Sequence, residues 1–428
     1  MNYTETEQKL MDAMAKMNII DAHEHLGPEE LLLSKPRDVF ALVGLYGRFD
    51  LFSAGMDRES YSEHGQRVPP ACRDFNMLYD PSVPLEKRWN VFEPYWQHVR
   101  FGSYARAGRL AAKLYYGVDD INRQTYQELS DRIAEESKPG LYQRIFVDTC
   151  RAAAVLTQAG GTNCQHPLVP VVRGRLLTQV RNREYVDYLS ATLGLVVNTI
   201  DDWLHLCKKQ VEKWVQEGAV GVKFLAQYNP PPDRTKAEQA FKKLMAGEAL
   251  VPGKADRFEP FENYVMHHVI DLAGSHDLVV ALHSGIWGDF RQTDPKYVLT
   301  LAPAHPQTNF DLYHLGMPFV RDAIVIGKNL PNVFLNLCWC HIISQVQTCS
   351  GVDELLDQVP INKVIAFGGD EVMAPENIIG HLQMARENFA QVFGARIDRG
   401  LMSFDEAVQI LRLWFWENPL QLYRRLRV

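Results

Sequence analysis

At 428 residues, 46% apolar and 23% charged, the chain has ample material for a large core and none of the bias of a disordered or fibrous sequence. Its formal net charge of −7 argues against nucleic acid or an anionic membrane as the main partner. Seven scattered cysteines read as free thiols in a reducing compartment, and no apolar run approaches the ~20 residues that a membrane span needs. The polar start "MNYTETEQKLMDAMAKMN" is helical in pattern and has no apolar signal core. A cytoplasmic protein acting on a small molecule is expected, with homo-oligomerisation left open.

In chain order, the first short apolar run is "NIIDAHEHL" (18–26), followed by "AAAVLT" (152–157) and "HPLVPVVRGR" (166–175). Next come "GAVGVKFLA" (218–226), "DLVVALHSG" (277–285), "NFDLYHLG" (309–316), "NVFLNLCW" (332–339) and "KVIAFGGD" (363–370). These runs are nearly continuous in apolar residues rather than alternating, which is the signature of parallel strands covered by helices on both faces. The spacers are helical in pattern. "TIDDWLHLCKKQVEKWVQEG" opens on Asp201 and Asp202 as capping candidates and stops at Gly218. "SFDEAVQILRLWFWENP" carries Ser403 and Glu406 in capping-box spacing and is expected to end before Pro419. Eight strands alternating with helices predict an α/β fold, a (β/α)8 TIM barrel. The long stretch between the first two strands, about 27–150, contains "LEKRWNVFEPYWQHVR" and "TYQELSDRIAEES". It predicts a helical insertion within one domain spanning 1–428.

In such a barrel the active site lies at the carboxyl ends of the strands. Metal-competent residues gather there: His23 and His25 on strand one, Lys223 late in strand four, and His283, His314 and Asp370 ending strands five, six and eight. Residues i and i+2 of a strand share a face, so His23 and His25 can hold one ion. Imidazole suits zinc and its neighbours in the first transition row. His314 could bind the same ion, bind a second ion, or donate to a substrate carbonyl. Asp370, after two glycines, can ligate a metal and accept a proton; as a structural residue it would cap the helix near Pro375. Lys223 could bridge two metals as a carbamate, or bind a substrate carboxylate as a plain cation, and the cation is preferred. "CWCH" (338–341) lacks a second ligand pair, and His267 and His268 fall on a helix. Arg100, Arg173 and Arg175 could take a carboxylate bidentately. Trp89, Phe92, Tyr95 and Trp96 fit a packed helix face.

The pattern D-x-H-x-H on strand one, His on strands five and six and Asp on strand eight resembles the amidohydrolase superfamily. "FDLYHLGMPFVRDAIVIGKNLPNVFLNLCW", "NKVIAFGGDEV" and "ENPLQLYRR" look like its amidohydrolase-2 branch. The insertion after strand one is similar in placement to that of uronate isomerases. The resemblance implies a divalent metal, zinc first and one ion rather than two, held by His23, His25, His283 and Asp370. His314 would polarise substrate, sit behind the ligands or serve a second site. It implies a metal-dependent hydrolase in which water activated by the ion attacks an amide, lactone or ester, with Asp370 moving the proton. The alternatives are aldose–ketose isomerisation of a sugar acid, non-oxidative decarboxylation at the same metal, and a non-catalytic barrel keeping a structural ion.

Overall fold

The computed structural model describes residues 3–43, 47–58, 72–159, 161–248, 259–286 and 288–428. Helix α1 (Glu5–Ala15) opens with a capping box in which the Glu7 amide donates to Thr4 Oγ1 at 3.1 Å and the Thr4 amide donates back to Glu7. Strand β1 (Ile19–Glu24) follows, and the chain then enters the insertion. The described insertion helices include α2 (Leu85–Val99), α3 (Ser103–Leu114) and α4 (Tyr126–Glu136). Residues 44–46 and 59–71 of the predicted insertion lie outside the described residues. Trp89, Phe92 and Trp96 are buried on one face of α2, the packing expected of them.

The remaining strands are β2 (Ala152–Thr157), β3 (Leu168–Arg173), β4 (Gly221–Leu225), β5 (Val279–His283), β6 (Phe310–Leu312), β7 (Val333–Asn336) and β8 (Val364–Ile365). Each pairs in parallel with the next, in the order β1 to β8. The fold is a (β/α)8 barrel, and every predicted run contains its strand. Helix α5 (Ile200–Gln216) corrects the expected cap. Thr199 is the N-cap, accepting from the Asp202 amide, while Asp202 closes the box from inside the helix. After β5's supporting helix α6 (Glu259–Ser275) and the long α7 (Asn377–Asp398), α8 (Phe404–Arg412) carries the predicted Ser403–Glu406 box. It does not end the helical run before Pro419. A π-turn leads into Asn418–Leu422, where the proline stands in a first turn, which has no need of its missing N–H.

Two apolar layers hold the barrel. Ile20, Ala22, Ala154, Leu156, Val171, Val279, Ala281 and Ile365 fill its interior with Tyr313 and Tyr423. A larger layer lies between strands and helices, with Ile19, Val155, Val172, Val222 and Leu282 on the strand side. Two side chains of the insertion, Arg37 and Tyr116, tie it to the barrel by each donating at 2.8 Å to buried Glu376, just before α7. Helices α3 and α7 touch at backbone distance: a Cβ on Gly380 would stand 2.0 Å from the Ala107 carbonyl oxygen. Gly380→Ala therefore has no room. It is expected to destabilise the protein by about 1–3 kcal/mol, or more if the helices separate, in urea unfolding followed by circular dichroism.

Candidate functional site

The site forms where the chain after β8 meets β1. The Ala22 amide donates to the Phe367 carbonyl at 3.1 Å, the Asp370 amide to the His23 carbonyl at 2.7 Å, and the His25 amide to the Glu371 carbonyl at 2.9 Å. These bonds draw β1 onto the Gly368–Gly369 turn so closely that a Cβ on Gly368 would lie 2.8 Å from the His23 nitrogen. Asp21 serves this seam rather than the cleft: its Oδ1 accepts from the Gly369 amide at 3.2 Å and the His23 amide at 3.3 Å. Burial pushes its carboxyl up to about 6. Asp370 has a left-handed backbone, φ 61°, and it is not a helix cap, since the helix at Asn377 starts without a side-chain cap bond.

Asp370 Oδ1 stands 3.3 Å from His23 Nε2 and 3.2 Å from His25 Nε2. One ligand-type atom from each of the three residues falls within 4.8 Å of the others. Burial drives the His23 imidazole down to about 3, so it is neutral. Burial alone would lift the Asp370 carboxyl, but the His23 and His25 rings beside it hold it well below the ordinary range. The Gln158 amide meets His23 Nδ1 at 3.0 Å, behind the ring.

His283 and His314 stand next to this group. His314 Nδ1 meets the Cys338 carbonyl at 3.1 Å, and His283 Nε2 meets the Ile286 carbonyl at 3.0 Å. A carbonyl can only accept, so both of these nitrogens donate. In neutral rings the remaining pair, His314 Nε2 and His283 Nδ1, then face each other at 3.0 Å as two lone pairs. Burial lowers both rings, to about 4 for His283. His314 Nε2 is also 3.8 Å from Asp370 Oδ2. Imidazole nitrogens of His23 and His25 gathered around one carboxylate are a donor set that suits a divalent cation, with His283 and His314 beside the group rather than in it. The residues present fit such an ion.

A cleft of about 450 Å³ opens onto His25, Gln158, Lys223, His283, Trp339 and Asp370, with Arg48, Arg173 and Arg175 also in its wall. His314 is fully buried and does not line it. Lys223 Nζ lies 3.9 Å over the Tyr313 ring, and burial brings its ammonium down to about 8. Arg100 is elsewhere, paired with Asp120 in the insertion. The "CWCH" stretch is buried. Its Cys338 sits beside His314, while His341 meets the Ala366 carbonyl at 3.0 Å. His267 lies on α6 and meets His305 at 2.7 Å, outside the cleft wall.

Sequence reading did not select Gln158, Arg48, Trp339 or Asp311. Gln158 follows β2 directly, so the strand-end rule that found the histidines would have found it. Trp339, at φ 63°, lies edge-on to His314 at 5.4 Å between ring centres, and no spacing rule marks it. Asp311, inside the barrel, accepts from Tyr423 at 2.7 Å and Asn336 at 2.9 Å. Burial lifts its carboxyl to about 7.

The Asp311 shift has a direct consequence. Its folded value exceeds an unfolded value of ~3.9, so the cost of ionising it is absent below about pH 4 and complete above about pH 7. Asp311→Asn keeps the shape and cannot ionise. Relative to the native chain, the variant should gain roughly 2–4 kcal/mol between pH 4 and 7 in denaturant titrations. A pH-independent difference would contradict this.

Comparison with known proteins agrees with this architecture. The amidohydrolase family profile matches residues 170–425, more than half of the chain. A uronate isomerase from Thermotoga maritima superposes with a TM-score of 0.76 at 16% identity, covering 98% of this chain and 97% of that one. A glucuronate isomerase from Caulobacter crescentus gives 0.73 at 15% identity, covering 99% and 94%. A candidate metal-dependent hydrolase from Lactobacillus casei ATCC 334 gives 0.63 at 15%, covering 98% and 99%. Protein fluG of Emericella nidulans is 22% identical over 175 residues, 39% of this chain but only 20% of its own length. The chain belongs to the amidohydrolase superfamily, with the organisation of a uronate isomerase.

Proposed function

We propose that the chain is a metal-dependent hydrolase that opens an amide, lactone or ester of a small polar metabolite, using one zinc ion held by His23, His25, His283 and Asp370. The observation that carries this reading is the convergence of His23, His25 and Asp370 within 4.8 Å, with His25 and Asp370 opening onto a cleft of about 450 Å³. When bound, the ion supplies Lewis-acid polarisation of the substrate carbonyl and lowers the pKa of water towards neutrality. Asp370, ionised and on the cleft wall, accepts the proton of the attacking water. The water oxygen joins the carbonyl carbon, the C–N or C–O bond breaks, and Asp370 returns the proton to the departing nitrogen or oxygen. His314 is a positioning residue: anchored on the Cys338 carbonyl, it sets the His283 ring and stays out of the cleft. Lys223 acts as a plain cation towards substrate. The insertion and barrel work as one domain, joined through Glu376.

A second reading is aldose–ketose isomerisation of an open-chain sugar acid at the same group. The superposition on a uronate isomerase over 98% of the chain favours it. The two differ in mass balance, since hydrolysis adds one water to the product and isomerisation adds nothing.

Metal content per chain, measured on protein purified without chelator, is expected to be about one equivalent, and the His23→Ala/His25→Ala double variant should lose it. No metal in native protein that also resists reconstitution would remove both readings. Two equivalents would make Lys223 a bridging carbamate. On the substrate that is turned over, Asp370→Asn should lower kcat by about 10²–10⁴. Mass spectrometry of the product then separates hydrolysis from isomerisation.

A further inference from the structure

We propose that Lys223 and Arg173, with Arg175 at the rim, form an anion subsite for a doubly charged head group, so that the substrate of this cleft is a dianion. The inference deepens the functional reading above and relies on it only for calling the bound molecule a substrate.

The register of β3 and β4 pairs Arg173 directly with Lys223, which places two cations side by side on adjacent strands. Neither has an ion pair among the described residues, and neither does Arg175. Lys223 is nine-tenths buried, and its Nζ has no hydrogen-bond acceptor. Among the described residues, the Tyr313 ring face is its close favourable contact, 3.9 Å away. Arg173 commits only Nε, donating to the Gln158 carbonyl at 3.0 Å, which leaves the outer edge of the guanidinium open.

Among the described residues, no carboxylate is in ion-pair contact with this wall. Glu262 is taken by Arg181, and Asp370 stands against His23 and His25 and acts on Lys223 only from beyond ion-pair distance. Asp311 is beyond ion-pair distance of Lys223, with its oxygen Oδ2 bonded to Tyr423 and Asn336. Keeping a buried ammonium with no acceptor or counter-charge in contact is costly, so such a group is retained where a ligand brings them. Arg175 is exposed and hydrated, so the case rests on the other two. Two adjacent cations balance two negative charges. The guanidinium edge takes an oxyanion bidentately and the ammonium takes it as a point charge. One phosphate group or two neighbouring carboxylates would satisfy them.

The test is calorimetric titration of the protein as purified without chelator, its metal content measured, with phosphate, malonate and acetate at fixed pH and ionic strength. At least one dianion should bind roughly tenfold tighter than acetate. In Lys223→Met and Arg173→Met, the preference should shrink to within about threefold. The Gln variants repeat the measurement if circular dichroism shows either Met protein misfolded. Phosphate ahead of malonate identifies a single doubly charged group, and malonate ahead identifies two carboxylates. Acetate binding as tightly as both dianions would overturn the subsite. So would a preference that survives both substitutions, which places the anion on the ion instead. Metal content on the same samples keeps the two ideas apart. Native metal without dianion preference sinks the subsite alone, whereas preference without metal sinks the hydrolase reading alone.

Discussion

Three backbone hydrogen bonds across the β1–β8 seam are the constraint on which the rest of the site depends. They join Ala22 to Phe367, His23 to Asp370 and His25 to Glu371, closing the barrel where the histidines emerge. A barrel held only by side-chain packing at this point would let His23 and Asp370 drift by the ångström that separates a ligand set from two unrelated residues. Backbone bonds do not permit that drift. The glycines before Asp370 are needed because the seam is that tight, and the buried Asp21 carboxylate accepts from the neighbouring His23 and Gly369 amides.

The electrostatics follow from the same burial. Removing imidazoles from water favours their neutral form, and neutral rings have lone pairs to give. His314 and His283 each spend one N–H on a carbonyl, so the protein itself fixes which nitrogen of each ring is unprotonated. The arrangement is unfavourable by itself, with two lone pairs at 3.0 Å, and becomes favourable with a cation beside it. Structure and proposed chemistry therefore demand the same protonation states.

The strands were legible in the sequence because a doubly covered parallel strand has to be apolar on both faces, and eight such runs leave few alternatives. Strand-end position was legible for the same reason, and of the residues it singled out the structure groups His23, His25 and Asp370, with His283 beside them. What could not be read was the aim of individual side chains. In β1 the register shifts between Asp21 and Glu24. Ala22 belongs to the barrel interior, yet its neighbour His23 also turns inward, its ring 4.3 Å from that of Tyr313. Simple alternation would have sent one of them outward; a bulge re-aims a side chain in this way. His25 lies past the strand end and still reaches Asp370. His314 owes its position to a left-handed backbone, φ 64°, which no spacing rule foretells. The cap of α5 was misplaced for a local reason: Thr199 and Asp202 both belong to the capping box, and acidic residues in a first turn look like caps whether or not they hold that position.

The cleft divides its work by direction. β1 and the turn after β8 bring imidazole nitrogens and one carboxylate, whereas β3 and β4 bring cations. The insertion supplies Arg48 to the wall and sets Tyr104 edge-on to Trp339, which in turn meets His314. Under the proposed reading, a polar molecule entering such a field has one favourable orientation, with its anionic end towards Lys223 and Arg173 and its carbonyl towards His25 and Asp370. Reversal would bring negative charge against Asp370 and leave the buried ammonium without a partner. In the proposed reaction, orientation is thus set by charge before any close fit, and Asp370 would meet a carbonyl already turned towards it.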